Sequence, residues 1–349
     1  MQNFIRIVSL FCIAFTLFSC KQESNVKQVD FYHWRANYSL PADASTLLQR
    51  AESKRLYLRF FDVDYIEKQS KIFPKATLLI PEDTKITSVQ EVVPVVYITN
   101  RVFEHAKTPA AINALATQVA DKINRLLAKD FFAKVSVPEI QIDCDWTLST
   151  RASYFKFLEG LKQKSVFIAP NRKLSVTLRL HQIKYAEKTG VPPTDIGVLM
   201  LYNMGDLGDI NEPNSILNLE TTKKYLGNLN RYPLPLTMAF PYYDWAVLYR
   251  EDKLAGIINY FTEEMLVQNF KKTATPTMYR ATKDAYLNGN FIYANDVIRY
   301  ESVQLSELKQ LKQLIDRKYA KNYSVILYHV NALLFQNQST DELFKIFGK

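Results

Sequence analysis

The sequence predicts an α/β fold of the (β/α)8 type, a TIM barrel with an insertion between its seventh and eighth strands. Apolar runs alternate with helical stretches, and most runs end in polar or aromatic residues. No Gly-rich turn follows any run, which argues against the alternative, an open doubly wound sheet. The runs are nearly continuous in large apolar residues, as expected of parallel strands buried on both faces. The eight runs are 29–34, 56–64, 92–99, 139–146, 174–181, 196–203, 234–243 and 323–330.

Helical patterns fill most of the segments between these runs. The strongest covers 109–132, where Pro109 lies near the start and apolar residues recur every three or four positions. The chain closes with a helix over 340–347, which begins at a Ser-Thr-Asp-Glu cap. The other predicted helices are 43–53, 149–164, 221–230 and 302–319.

The connection between the seventh and eighth runs is too long for one helix. We interpret 253–299 as an insertion on the barrel rim, within a single barrel domain over 29–349. Asn288 and Gly289 lie between β-prone runs, which predicts a hairpin. The insertion could form one side of a substrate cleft, or it could lie on the rim without a part in substrate binding, and both interpretations stay open.

The N-terminus has the pattern of a cleaved export signal over 1–19. A basic residue precedes an apolar run at 7–18, which is short for a membrane span. The Leu-Phe-Ser sequence before Cys20 resembles the lipobox of bacterial lipoproteins, which implies that Cys20 carries the lipid and that 20–28 is a tether. Residue 21 is Lys and not Asp, so the resemblance implies an outer-membrane location in the cell envelope.

Charge and cysteine content limit the partners. The formal net charge is +9, but Lys and Arg are dispersed, so we expect no nucleic-acid partner. Once Cys12 leaves with the signal and Cys20 is lipidated, Cys144 is the remaining thiol and an internal disulfide is impossible. We expect a monomer without a cofactor, attached to the membrane only through its lipid.

The polar ends of the runs should converge, because the carboxyl ends of all barrel strands meet at one face. Asp143 and Asp145 are two residues apart on a strand and therefore point the same way. Two such close carboxylates repel, so one should retain its proton to higher pH and act as an acid. The alternative is a buried ion-pair network with Arg179 or Arg59.

Aromatic residues at the same ends suggest a carbohydrate ligand. The three Trp residues of the chain, Trp34, Trp146 and Trp245, each lie at the end of a run. Indoles stack on the apolar faces of sugar rings, while polar side chains bind the hydroxyl groups. The other predicted substrate-binding residues are His33, Asp62, Asp64, Arg179, His181, Tyr202, Asn203, Tyr242, Asp244 and His329.

A metal-dependent hydrolase is a third hypothesis. It requires His33, His181 and His329 to meet, since they have no fixed ligand spacing in the sequence. We predict no metal site on this basis.

The segment around Asp143 resembles the strand-four motif of the chitinase-like glycoside hydrolases of family eighteen, Asp-Gly-x-Asp-x-Asp-x-Glu. Asp143 and Asp145 match its second and third Asp, whereas Ile140 replaces its first Asp and Thr147 its Glu. Two further motifs are similar to the strand-six and strand-seven motifs of the family. They are Leu199-Met200-Leu201-Tyr202-Asn203 and Ala239-Phe240-Pro241-Tyr242-Tyr243.

The resemblance implies a glycosidase and at the same time puts its chemistry in doubt. In the family the Glu protonates the glycosidic oxygen, and the preceding Asp orients the N-acetyl group that attacks the sugar carbon. Thr147 cannot donate a proton in this way. The leading hypothesis is an envelope glycoside hydrolase in which Asp143 and Asp145 are catalytic, and the alternative is a glycan-binding protein without catalysis. A two-carboxylate mechanism would pair Asp145 with another carboxylate; the candidates are Asp64, Asp206 and Asp244.

Overall fold

The computed structural model describes residues 25–40, 42–82, 84–86, 88–168, 171–330 and 340–349. The predicted signal segment 1–19 and Cys20 lie outside the described residues. The first strand starts at Val26, so the last residues of the predicted tether belong to the barrel.

The described strands are, in chain order, β1 Val26–His33, β2 Arg55–Ile66, β3 Lys71–Lys75, β4 Glu91–Ile98, β5 Glu139–Asp143, β6 Lys173–Leu178, β7 Ile196–Met200, β8 Leu236–Pro241, β9 Trp245–Arg250, β10 Lys253–Asn259, β11 Phe270–Lys272, β12 Met278–Ala281, β13 Ala285–Leu287, β14 Asn290–Ile292, β15 Val297–Glu301 and β16 Tyr323–Tyr328. The described helices are α1 Ala42–Arg50, α2 Asn100–His105, α3 Pro109–Leu127, α4 Arg151–Lys162, α5 Leu180–Lys184, α6 Ala186–Thr189, α7 Leu219–Tyr225, α8 Glu263–Asn269, α9 Leu305–Lys318 and α10 Thr340–Ile346.

Eight of these strands form a closed parallel barrel in the order β1-β2-β4-β5-β6-β7-β8-β16. The barrel closes where β1 pairs with β16, with Asp30 opposite Ile326. The short β3 adds antiparallel to β2 outside the barrel. The predicted (β/α)8 fold is therefore confirmed.

The helices lie between the strands, as the periodicity predicts. In α3 the side chain of Thr108 accepts a hydrogen bond from the backbone N–H of Ala111, and Pro109 occupies the first turn. Its apolar stripe is buried against the barrel, with Leu115 and Ile123 at its centre. No helix among the described residues is long and apolar enough to cross a bilayer.

Polar groups inside the barrel are hydrogen-bonded to one another. The Tyr32 hydroxyl donates to Oε1 of Gln141 at 2.6 Å. The Gln141 amide in turn donates to Oγ of Ser175 at 3.4 Å. All three residues are buried, so this chain satisfies groups that would otherwise destabilise the interior.

Three barrel strands end three residues before the ends of their predicted runs. Strand β5 ends at Asp143, β6 at Leu178 and β7 at Met200. Tyr97 opposite Asp143 is the last backbone pair between β4 and β5. The polar residues that follow these ends therefore lie in loops, and the loops at this face are where barrel sites are built.

The insertion is a small β-sheet that starts immediately after β8, earlier than predicted. Trp245 belongs to β9, which pairs with both β10 and β15. The five-stranded sheet runs β10-β9-β15-β12-β11 and has its own apolar cluster. The predicted hairpin is present as β13 and β14, with Asn288 at φ 45° and Gly289 at φ 87° in its turn.

A buried ion pair connects this sheet to the loop after β7. Glu301 accepts hydrogen bonds from the backbone N–H of Ser215 at 2.9 Å, from the Ser215 hydroxyl at 2.6 Å and from Nε1 of Trp245 at 2.8 Å. Arg299 donates to its other carboxylate oxygen and also to the carbonyl of Asp209. Arg299 is 1% exposed and Glu301 2% exposed, so their charges depend on each other.

Candidate functional site

A cavity of about 360 Å³ opens at the carboxyl ends of the barrel strands. It draws residues from five of the eight barrel strands, β2, β4, β5, β7 and β16, and from the segments that follow β1, β5, β6 and β7. The lining residues are Trp34, Arg59, Tyr97, Asp143, Asp145, Arg179, Leu180, His181, Met200, Tyr202, Asn203, Met204, Thr221, Tyr225 and Tyr328.

The structure brings about half of the predicted site residues into this cavity. Those in the lining are Asp143, Asp145, Trp34, Arg179, His181, Tyr202 and Asn203. The predicted residues that do not line it are His33, Asp62, Asp64, Trp146, Tyr242, Asp244, Trp245 and His329.

Asp143 is the last residue of β5 and lines the cavity. Its Oδ1 accepts a hydrogen bond from the Thr177 hydroxyl at 2.6 Å. Burial, reinforced by the negative charge of Asp145, raises its pKa from 3.8 to about 7. Near neutral pH Asp143 is therefore partly protonated and can donate a hydrogen bond as well as accept one.

Asp145 carries its charge in an ion pair with Arg179. The guanidinium donates through Nε and Nη2 to both carboxylate oxygens, a bidentate geometry that fixes both side chains. The side chain of Asp145 is 37% exposed and that of Arg179 is 40% exposed, and both form part of the cavity wall. The ion pair that the sequence left open as an alternative is thus present at Asp145.

Arg59 lines the cavity as the cation of a second bidentate pair. Arg59 donates through Nε and Nη2 to the two oxygens of Asp62. The guanidinium carbon lies 5.5 Å from the ring centroid of Trp34. Asp62 is 4% exposed and acts from behind the wall by orienting Arg59. Arg59, rather than Asp62, is the side chain that a ligand would meet.

Aromatic rings surround Tyr328 at the mouth of the barrel. Tyr202 stacks on it with centroids 5.1 Å apart, and Trp34 and Tyr243 lie at 5.7 and 5.4 Å. The Tyr243 hydroxyl donates to Oδ1 of Asn203 at 2.6 Å, which ties this loop residue to the ring cluster. The result is an aromatic wall beside two ionic pairs.

Sequence reasoning missed Tyr328 and Tyr97 as cavity residues. At this strand end the sequence interpretation assigned the next residue, His329, to the site instead of Tyr328. The signal that could have found Tyr328 is the alternation of side chains along a strand, which sends neighbours in opposite directions. Tyr97 lies directly opposite Asp143 in the register of β4 and β5, and only the register reveals it.

The histidines do not meet in one place. His181 lines the cavity, whereas His33 stacks on Tyr38 with centroids 5.2 Å apart and contacts the carbonyl of Ser39. His329 is 7% exposed, and burial lowers its pKa to about 3, so it is neutral. Within the described parts of the chain no group of three or more His, Cys, Asp or Glu side chains is placed to hold a metal ion.

Two of the three Trp residues pack inside the protein. Trp146 is 3% exposed and stacks on Tyr154 with centroids 5.2 Å apart. Trp245 is 8% exposed and donates to Glu301. Of the predicted indole platforms, Trp34 is the one that lines the cavity.

Asp64, Asp244 and Tyr242 are hydrogen-bonded to residues outside the cavity or buried in the protein. Asp64 accepts hydrogen bonds from Arg101 and Thr99 and pairs with Lys75, and these contacts hold its pKa well below the usual range. Asp244 accepts from the Tyr300 hydroxyl at 2.8 Å, and burial raises its pKa. Tyr242 is 1% exposed, and its backbone N–H donates to the carbonyl of Tyr328.

Thr147, at the position of the family Glu, is exposed and lies outside this cavity. Its hydroxyl contacts Ser149 and Thr150. It borders an adjoining hollow of about 490 Å³, which shares Asp145, Arg179 and His181 with the cavity. Asp143 and Asp145 are the only carboxylates among the described residues that line the cavity.

Comparison with known proteins identifies the fold. No protein-family model and no curated protein matches the sequence. Among solved structures, a chitinase from Chromobacterium violaceum is similar with a TM-score of 0.53 at 12% identity, over 92% of this chain and 99% of that one. A chitinase from Bacteroides thetaiotaomicron is similar with a TM-score of 0.53 at 14% identity, over 93% and 96%.

A third similar structure is a complex with a small molecule. It is a family GH18 chitinase from Cycas revoluta in complex with allosamidin, with a TM-score of 0.50 at 14% identity, over 92% of this chain and 98% of that one. At such low identities the likeness concerns the fold. The chain has the (β/α)8 fold of the chitinase-like glycoside hydrolases.

Proposed function

We propose that this protein binds an oligosaccharide in the barrel cavity and does not hydrolyse it. The observation that supports binding most directly is the wall of Trp34, Tyr202 and Tyr328 beside two fixed guanidinium–carboxylate pairs. Aromatic faces suit the apolar sides of sugar rings, and the polar groups beside them suit hydroxyl groups. The fold likeness to chitinases makes chito-oligosaccharides the first ligands to try.

The absence of a free acid at the Thr147 position argues against hydrolysis. A glycosidase needs one carboxylic acid to protonate the leaving oxygen and a second group to act at the sugar carbon. Asp145 is neutralised by Arg179, and Thr147 offers only a hydroxyl group that faces its own loop. An arrangement of this kind favours holding a glycan over cleaving it.

One observation favours a hydrolase as the second candidate. The pKa of Asp143 is raised to about 7, a value suited to a general acid at neutral pH. In that case reducing ends should accumulate when the wild-type protein meets chito-oligosaccharides, and Asp143→Asn should stop the reaction. Glycan binding without release of reducing ends supports the binding protein.

Replacing Trp34 with Ala should weaken oligosaccharide binding about tenfold or more. The half-buried indole lines the cavity, and an aromatic contact of this size contributes on the order of 1–2 kcal/mol. Titration calorimetry with chitotetraose and chitohexaose measures the change. Phe73→Ala is the matched control, because Phe73 is 45% exposed and does not line the cavity.

An unchanged affinity in Trp34→Ala would place the ligand elsewhere. Equal weakening in both variants would point to a general loss of structure, which circular dichroism would detect. Failure of the wild-type protein to bind any of the glycans tested would remove the proposal.

We also propose that the mature protein is attached to the cell envelope by lipid on Cys20, and that it lies at the outer membrane. The support is the lipobox-like sequence before Cys20 and the Lys that follows it. Cys20→Ser should move the protein from the membrane fraction to the soluble fraction and abolish incorporation of labelled palmitate. Cys144→Ser is the control, because it removes a buried thiol that should have no part in anchoring. Persistence of label in Cys20→Ser would exclude this residue as the anchor.

A further inference from the structure

The insertion displays a row of three aromatic rings that the cavity does not use. Tyr286 of β13 pairs directly with Phe291 of β14, so the two side chains lie on the same face of the hairpin. The ring of Tyr293 lies 4.8 Å from that of Phe291. Tyr286 is 70% exposed, Phe291 47% and Tyr293 49%. We refer to these three residues as the hairpin row.

The stability of the insertion does not require the hairpin row. The opposite face of the hairpin supplies Ala285, Leu287 and Ile292 to the apolar cluster of the insertion, and Ile292 is fully buried. The rings of the row face solvent instead. Contiguous exposed aromatic residues mark interaction sites more often than isolated ones do. The row is therefore a surface available for a ligand.

The hairpin row is held in place before any ligand arrives. The side-chain amide of Asn288, in the turn, donates to the carbonyls of Asn259 and Tyr260 at 2.9 and 3.0 Å. At the other end, the guanidinium carbon of Arg250 lies 4.3 Å from the Tyr293 ring centroid. Arg250 is itself paired with the buried Asp296. A prearranged surface loses little entropy on binding.

Charge decides which class of ligand fits. Between Trp245 and Glu301 the sequence has seven Lys or Arg residues and seven Asp or Glu residues, so this segment is electrically neutral although the whole chain is +9. Arg250, the cation beside the row, is already neutralised by Asp296. A neutral surface offers little attraction to nucleic acid or to an anionic bilayer. Planar rings, two of which carry hydroxyl groups, suit a neutral sugar chain.

We propose that the hairpin row is a second carbohydrate site, which holds an uncharged polysaccharide chain by ring stacking outside the barrel cavity. The inference rests on the proposed function only for the class of ligand, since the two sites share no residue. A polymer held on the insertion would keep its chain close to the barrel mouth and raise the local concentration of sugar units there.

Co-sedimentation with insoluble chitin and with cellulose tests the second site. Residues 21–349, which lack the predicted signal and the lipid-bearing cysteine, should sediment with at least one of the two polymers. The combined variant Tyr286→Ala, Phe291→Ala, Tyr293→Ala should sediment about tenfold less while keeping the wild-type affinity for chitotetraose in solution. Trp34→Ala should show the opposite pattern. This contrast separates failure of the second site from failure of the cavity.

Two further variants keep the test decisive. Val267→Ser removes another exposed apolar side chain of the insertion, 75% exposed, and should sediment like the wild type. Tyr286→Ala alone removes the most exposed ring of the hairpin row. It serves as the test variant if the combined variant does not fold. Tyr286→Phe should retain polymer binding, because the aromatic ring remains.

Three results would overturn the proposal. One is no sedimentation of the wild-type protein with either polymer, and another is equal sedimentation of the wild-type protein and the ring variants. The third is that the wild-type protein binds phosphatidylcholine vesicles and the ring variants do not, while polymer binding is the same in both. That result would make the row a membrane contact.

Discussion

Glu301→Ala should lower the free energy of unfolding by about 3–5 kcal/mol, the largest effect that we expect from a single substitution. The change leaves the charge of Arg299 buried without its partner, and Arg299 is 1% exposed. It also removes the acceptor for Nε1 of Trp245 and for two donors of Ser215. Urea unfolding of the two proteins measures the difference.

The same substitution should disturb the cavity from a distance. Ser215 lies in the loop after β7, and its carbonyl accepts the backbone N–H of Met204, a cavity residue. Asn203 N–H donates to the carbonyl of Ile216 in the same loop. Weaker glycan binding should therefore accompany the lower stability.

Two variants show whether the buried charge is responsible. Glu301→Gln keeps an oxygen acceptor and the side-chain shape, so it should lose less stability than Glu301→Ala. Glu251→Ala removes an exposed carboxylate in the turn between β9 and β10 and should change the free energy of unfolding by less than about 0.5 kcal/mol. A loss below about 1 kcal/mol in Glu301→Ala would mean that water or a rearranged side chain satisfies Arg299.

The barrel was predictable from sequence because its strands and helices repeat a strong local pattern. Eight apolar runs and the stripe of α3 depend on hydrophobic burial, which periodicity reports directly. The carboxyl ends of parallel strands necessarily meet at one face, so Asp143, Asp145 and Arg179 could be placed near a common site. The hairpin turn was predictable for a similar local reason, since Asn288 and Gly289 tolerate positive φ.

The details of the site depend on partners that are distant in sequence. Asp62 was predicted to bind the ligand, but in the structure it pairs with Arg59, and Arg59 lines the cavity. Trp146 and Trp245 lie near strand ends, as predicted, but both pack inside the protein because an indole is large and apolar. Trp146 packs against Tyr154, and Trp245 lies beside Tyr243. Residue type at a strand end indicates a candidate, whereas the side on which it lies follows from register and loop path.

Asp143→Asn should make the stability of the protein less dependent on pH. The folded-state pKa of Asp143 is about 7, against 3.8 for the ordinary side chain. Below about pH 4 the carboxyl group is protonated in both states, so burial has no ionisation penalty. As the pH rises to 7 the unfolded chain ionises first, and stability falls until the folded group has also lost its proton. The amide mimics the protonated form throughout.

The size of this effect follows from the shift. Each pKa unit corresponds to about 1.4 kcal/mol, so the stability of Asp143→Asn relative to wild type should improve by about 2–4 kcal/mol between pH 4 and pH 8. Thr177 can still donate to the amide oxygen, which retains the hydrogen bond of the parent. Urea unfolding at both pH values measures the change, and Asp206→Asn, which removes an exposed carboxyl group, is the control.

The pH dependence of ligand affinity should also follow the protonation of Asp143. If the protonated Asp143 donates a hydrogen bond to a glycan oxygen, the affinity of the wild-type protein should fall as the pH rises through 7, while the affinity of Asp143→Asn should stay level. A parallel decline in both proteins would assign the pH dependence to another group. A flat stability difference between pH 4 and pH 8 would show that Asp143 ionises as an ordinary surface carboxyl group does, and at neutral pH the cavity would then hold an ionised Asp143 beside the Asp145–Arg179 pair.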